Sequence, residues 1–265
     1  MRAEFAFIVL GISFGASVSG CARSASSAAP PAAVAPSADE PAPEAIASAE
    51  TAFQELEQRL LAEGTRLRFH ITAEGAVEVD LRGELRVDDE LDLRVKGLFA
   101  GEAYELRLWT QGDLLLGGPV GTPAFEQPRP AALAPAIVVG LTRMGLLHNI
   151  AVLIAGAPPD HGEGGVEQWV QTVGHHRVEA GAEEGEHEGL SFDLVVAGQP
   201  SGTATLWLDE DGQPRRRMQA VAFPDGEMRV IERYEPVGPE SSAGPLASRS
   251  AWAEPAASAL PLGGG

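Results

Sequence analysis

Apolar and charged residues alternate with period two from Leu67 to Leu108, and that alternation limits the fold more than any other feature of the chain. Leu67, Phe69 and Ile71 alternate with Arg66, Arg68 and His70. Val77, Val79, Leu81, Leu85 and Val87 alternate with Glu78, Asp80, Arg82, Glu84 and Arg86. Leu91, Leu93 and Val95 alternate with Asp92, Arg94 and Lys96, and Leu106 and Leu108 with Glu105 and Arg107. Successive side chains of a strand point to opposite faces, so each segment reads as a strand with one apolar and one charged face. Short turns at Glu74-Gly75, Asp88-Asp89-Glu90 and Gly101 make neighbouring strands antiparallel. The charged face carries both signs, which suits cross-strand pairs of arginine and carboxylate in water, each worth at most about 1 kcal/mol.

The second half repeats the pattern. Val166 to Ala180, Leu190 to Ala197, Thr203 to Leu208, Arg215 to Phe223 and Glu227 to Tyr234 read as strands, with turns at Asp209-Glu210-Asp211-Gly212 and Pro224-Asp225-Gly226. About ten strands with one wet face form a curved antiparallel sheet whose apolar side needs a cover.

Two helical segments supply it. From Ser48 to Glu63, Phe53, Leu56, Leu60 and Leu61 fall near helical spacing, with Ser48 as N-cap, Glu50 suited to the helix dipole, and Gly64 as stop. From Pro135 to Ala155 a second helix is apolar almost all round, through Ile137, Val138, Val139, Leu141, Met144, Leu146, Leu147, Ile150, Val152, Leu153 and Ile154. Arg143, His148 and Asn149 near its middle make a bilayer span costly, so it is expected inside or across the mouth of the sheet. A buried salt bridge is the expected role of Arg143. The fold class is thus mainly β with helices (α+β): a curved antiparallel sheet or unclosed barrel covered by an N-terminal and a central helix.

The N-terminus carries a different signal. Arg2 precedes an uncharged apolar stretch from Phe5 to Val18, too short to cross a bilayer. It ends in Val18-Ser19-Gly20-Cys21, which resembles the lipobox cut by bacterial prolipoprotein-processing enzymes. Cys21 is the only cysteine, so no internal disulfide competes for it. The resemblance implies a signal peptide over 1–20, acyl chains such as palmitate on Cys21, and lasting attachment to a membrane. Ala22, in enteric-type sorting, favours the outer membrane facing the periplasm. Ala, Pro, Ser and Gly dominate 21–44 and 238–265, which read as an anchored linker and a tail that bury too little to order. The domain is expected over 45–237.

A net charge of −19, with Lys96 the only lysine, opposes nucleic acid and anionic membrane surfaces as partners. Arg215-Arg216-Arg217 reads as solvated residues of one strand plus a neighbour. Asp160-His161-Gly162-Glu163, His175-His176 and His187 carry metal-ligand chemistry, but at spacings of no standard site, and no metal or other cofactor is expected. No nucleophile elbow, phosphate loop or zinc-protease helix is present, so no enzymatic activity is expected.

Lipobox, linker, N-terminal helix, charged-outside meander, helical cover and a second strand set together resemble the periplasmic lipid-carrier superfamily of the LolA, LolB and LppX type. Leu206-Trp207-Leu208-Asp209-Glu210-Asp211-Gly212-Gln213-Pro214-Arg215-Arg216, followed by Asp225-Gly226 and a strand ending at Tyr234, is similar to the late hairpins of that fold. The resemblance implies an unclosed barrel whose apolar face holds lipid or lipoprotein acyl chains. Its lining would come from Phe69, Val79, Leu81, Leu93, Val95, Leu106 and Leu108 of the sheet and Leu141, Met144 and Leu147 of the cover. Alternation decides which face is buried and leaves open what fills it: the same residues build a dry core in a ligand-free structural or interaction lipoprotein of the envelope.

Overall fold

The computed structural model describes residues 43–158, 170–173, 183, 185–196, 199–223 and 226–237. Cys21, the linker up to residue 42, the tail, Asp160-His161-Gly162-Glu163 and His175-His176 lie outside them; the last two linker residues, Pro43 and Glu44, belong to the first helix. Most of the strand expected over 166–180 also lies outside the described residues.

Helix α1 (Pro43–Glu63) leads into β1 (Thr65–Gly75), β2 (Val79–Val87), β3 (Leu91–Phe99), β4 (Glu102–Gln111), β5 (Leu114–Pro119) and β6 (Phe125–Pro128). The cover follows as α2 (Leu133–Val139), a π-turn (Gly140–Met144) and α3 (Leu146–Ile154). The chain then adds β7 (Val170–Val173), β8 (Glu188–Val196), β9 (Gln199–Leu208), β10 (Pro214–Phe223) and β11 (Gly226–Pro236).

All eleven strands form one antiparallel sheet in the order β6-β5-β4-β3-β2-β1-β11-β10-β9-β8-β7. The chain's two halves join where β1 pairs with β11, Phe69 opposite Tyr234 and Ile71 opposite Glu232. β6 and β7 stand at the edges, so the sheet is unclosed. Inward residues from one flank, such as Leu108 and Leu115, and from the other, such as Leu190 and Phe192, share one apolar core with the helices. A sheet whose two flanks reach the same helices must curl around them.

The alternation is realised: β1 and β2 bury every second residue along most of their length. Arg66 pairs with Asp88, Arg68 with Glu84, and Arg94 and Arg107 both with Asp92 on the wet face. Arg107 also lies over the Trp109 ring and Arg216 over that of Trp207.

The structure departs from expectation in four places. Helix α1 starts at Pro43, five residues before Ser48, because proline suits a first turn and the alanines after it extend the helix. Strands β5 and β6 were not expected: Leu114-Leu115-Leu116 does not alternate, and Leu115 through Gly118 are all buried. Arg217 is buried rather than solvated. The run from Pro135 to Ala155 is not one helix but a broken pair.

Candidate functional site

The inward face of the sheet and the cover above it form the site. Phe69, Val79, Leu81, Leu93, Val95, Leu106 and Leu108 are all buried there, as are Leu141 and Leu147 of the cover. Met144 is half-buried and packs against the same core. From α1, Ala49, Phe53, Leu56 and Leu60 face inward at helical spacing, and Phe53 meets Phe192 of β8 edge to face at 4.7 Å. Burial of each large side chain removes about 1.5–3 kcal/mol of exposure to water.

The cover bends by 119° between its two parts. The bend falls at Gly145, where φ is 91° and ψ 147°, a conformation that an L side chain reaches only under strain. No single helix among the described residues is long and apolar enough to cross a membrane. The bend gives the apolar run two destinations instead: α3 packs on β4 and β5, and the π-turn on β7 and β9, while α1 packs on α2 and β7. One segment thereby bridges both flanks of the sheet.

Ionic contacts hold this bend inside an apolar interior. The fully buried Arg143 guanidinium donates to Glu57 at 2.7 and 2.8 Å and to Glu50 at 2.9 and 3.0 Å. Glu50 and Glu57 lie two turns apart on α1 and so share a face. The Thr142 hydroxyl lies 2.8 Å from Glu57 Oε1. Burial disfavours the charge on Arg143, but its hydrogen bonds to Glu57 and the charges of Glu57 and Glu50 outweigh it and raise its pKa. The salt bridge expected of Arg143 is therefore present.

The second contact set comes from the sheet. Arg217 of β10 and Glu232 of β11 are opposite one another and fully buried beneath the bend. Glu232 accepts the backbone N–H groups of Leu146 and Leu147, each at 2.9 Å, and the Tyr234 hydroxyl. A carboxylate thus caps the first turn of α3, where the free N–H groups and the helix dipole favour negative charge. Arg217 donates through Nε and Nη2 to the Arg143 carbonyl. Burial lowers the pKa of Arg217 against the opposing charges of Glu232 and Tyr234, and burial followed by the Glu232 charge pushes the Tyr234 phenol well above its ordinary value.

The sequence reading missed this pair, although Glu232 carried a signal: it shares strand parity with Met228, Val230 and Tyr234. An acid on the apolar face of an alternating strand marks a buried ion. Arg217 was harder to place, because a register shift between Pro214 and Arg216 breaks the parity of β10.

A cleft of about 110 Å³ is lined by Glu183, Glu186, Arg215, Arg233 and Tyr234; Glu183 pairs with Arg233 at its wall, and Glu186 with Arg216. Among the described residues no three His, Cys, Asp or Glu side chains are grouped so that they could hold a metal ion.

No family model matches the chain, and no curated protein matches it. Among solved structures it is similar to a LolA superfamily protein from Nitrosomonas europaea at 12% identity, covering 70% of this chain and 91% of that one, with a TM-score of 0.31. It is also similar to LprF from Mycobacterium bovis at 11% identity, covering 74% of this chain and 93% of that one, with a TM-score of 0.32. At these identities and TM-scores neither likeness bears on what the chain binds. The unclosed sheet with helical cover, established by strand order and register, is the architecture that the resemblance to the LolA, LolB and LppX type implies.

Proposed function

We propose that this is an exported lipoprotein, held to the outer membrane through acylated Cys21, whose domain takes up lipid or lipoprotein acyl chains between the inward sheet face and the broken helical cover. The reading rests above all on how the cover is fastened. The contacts of Arg143 with α1 and of Glu232 with the start of α3 lie at the bend, and apolar side chains of both flanks share the core of the sheet. Apolar contacts are non-directional, so an acyl chain can pack against the same leucines that a helix flank meets. The chain itself gains about 25 cal/mol for each Å² it removes from water.

Such a site needs no reacting group, which agrees with a binding role rather than catalysis. Membrane attachment rests on Val18-Ser19-Gly20-Cys21 and is a separate part of the proposal. Native mass spectrometry of the full chain purified from its membrane tests the binding. A bound acyl lipid in addition to the covalent anchor is expected, and a domain that carries none and takes up none on incubation would favour the ligand-free structural lipoprotein. Fractionation of cells making Cys21→Ala tests the anchor: the variant should leave the membrane fraction, and equal recovery with the parent would refute it.

A further inference from the structure

The cleft beside the start of β10 is built from ions that do not balance. Its lining brings together Glu183 and Glu186, which precede β8, with Arg215 of β10 and Arg233 and Tyr234 of β11. Both acids are engaged. Glu183 accepts from Arg233 Nε and Nη2 at 3.2 and 2.9 Å and lies 3.3 Å from Arg216 Nη1. Glu186 accepts from Arg216 Nε and Nη2, and its Oε2 also takes the Glu183 backbone N–H at 3.1 Å. Arg215 pairs with no acid among the described residues. Among those residues, three arginines therefore meet two glutamates, and the cleft holds a surplus positive charge in a chain whose net charge is −19.

The wall is fixed by its own contacts. Arg216 lies over the Trp207 ring at 4.0 Å; its side chain is 11% exposed and that of its partner Glu186 is 2% exposed. The Arg215 guanidinium rests against the Gly185 turn, its Nη2 3.5 Å from where a Cβ would stand. The hydrogen bond from Arg233, together with the charges of Arg216 and Arg233 acting against burial, holds the Glu183 carboxyl below its ordinary value. Glu183 thus stays ionised at neutral pH and bound to these partners.

Charge and size together say what can enter. A surplus cation favours an anion, and a planar guanidinium offers paired N–H groups that match two oxygens of a phosphate or a carboxylate. At about 110 Å³ the cleft is well below the roughly 300–1,000 Å³ of a pocket that encloses a drug-sized molecule, so it admits one small group and leaves the rest of the ligand outside. Arg215 and Arg233 both line this small space. A phosphate has oxygens enough to meet both, whereas a carboxylate has only two to share between them.

We propose that this cleft binds a phosphate group, with Arg215 as its principal partner and Arg233 as the second. The group is carried by a soluble phosphomonoester or by a phospholipid headgroup, which offer the same chemistry. The site is separate from the space beneath the cover, and the inference does not depend on acyl binding there.

The test is calorimetric titration of the full chain, held in dodecyl maltoside at low salt, with sn-glycerol 3-phosphate and with dihexanoyl phosphatidylglycerol. One-to-one binding of a phosphate probe is expected, weakened about tenfold in Arg215→Gln. Glu183→Gln, which removes an acid from the wall, should tighten it about threefold. Arg229→Gln, on the same strand β11 with a side chain 64% exposed, should leave it unchanged. Glycerol 3-phosphate binding as tightly as the phospholipid identifies a soluble ligand; a phospholipid advantage of about tenfold that is lost in Arg215→Gln identifies a headgroup, and either result supports the proposal. No saturable binding of either probe, binding unaltered in Arg215→Gln, or an equal loss in Arg229→Gln overturns it. Where a melting curve shows that Arg215→Gln has not folded, Glu183→Gln decides: tighter binding supports the site, and unchanged or weaker binding overturns it.

Discussion

Removing Arg143 should destabilise the protein far more than removing Arg143 together with Glu57. Arg143→Met takes from Glu57 two charged hydrogen bonds, at 2.7 and 2.8 Å, and leaves a carboxylate only 6% exposed with Thr142 beside it. Stripping one partner from a buried ion pair costs about 3–5 kcal/mol, because the remaining charge is neither hydrated nor matched. Glu50 contributes less to the loss, since its 26% exposed side chain can be hydrated again. Against a typical domain stability of about 5–15 kcal/mol, this single change removes a large share. In Arg143→Met with Glu57→Leu both charges give way to apolar groups, and such replacements are often neutral, so the double variant is expected within about 1 kcal/mol of the parent. Urea unfolding at neutral pH reads both quantities, as midpoint shifts at constant slope. A cost below about 1 kcal/mol for Arg143→Met, or single effects that simply add in the double variant, would refute the buried-pair account.

Gly145→Ala should weaken the bend, since a Cβ there would stand 2.7 Å from Glu232 Oε1 and 2.8 Å from Arg217 Nη1. The backbone conformation alone costs about 1–3 kcal/mol for a non-glycine residue, and a melting temperature equal to the parent's would contradict it. Asp92 gives a pH signature. Burial raises its pKa, but hydrogen bonds from Arg107 and Arg94 and the charges of both outweigh it and hold the carboxyl below its ordinary value. A depressed folded-state value means that the stabilisation is present above the unfolded pKa of about 3.9 and is lost as pH falls through the folded value. Asp92→Asn should therefore be less stable than the parent at neutral pH and converge with it in acid; a gap that persists at pH about 2 would count against the pairing. Val79→Trp and Val95→Trp place bulk on the inward face: if acyl chains occupy that space, lipid retention should fall with little change in melting, whereas a close-packed core would lose about 1–3 kcal/mol.

The strands of the first half were legible because a half-buried strand writes its geometry directly into period-two alternation, as from Leu67 to Val95. β5 was not, because Leu114-Leu115-Leu116-Gly117-Gly118 leaves no apolar-polar contrast to read. The cover's membership of the core was readable from its apolar circumference. Its break was not: Gly145 inside an apolar run is common in continuous helices, and only the capping of Leu146 and Leu147 by Glu232, 86 and 85 residues away in sequence, fixes the bend there. Arg143 announced itself as a charge in an apolar run, but its partners on α1 did not: Glu50 read as suited to the helix dipole, and Glu57 was not singled out. Long-range pairing of this kind belongs to the assembled core and has no local signature.

The central claim is that acyl chains enter the space between sheet and cover, and photo-crosslinking tests it most directly. The full chain is incubated with a palmitoyl glycerol ester bearing a diazirine in mid-chain, irradiated, and mapped by peptide mass spectrometry. Adducts are predicted on inward residues of the sheet and cover, chiefly Leu93, Leu108 and Leu147, and competition with unlabelled ester should remove them. Adducts confined to outward positions such as Leu98 and Val120, which are 50% and 54% exposed, or labelling that unlabelled ester does not reduce, would contradict it.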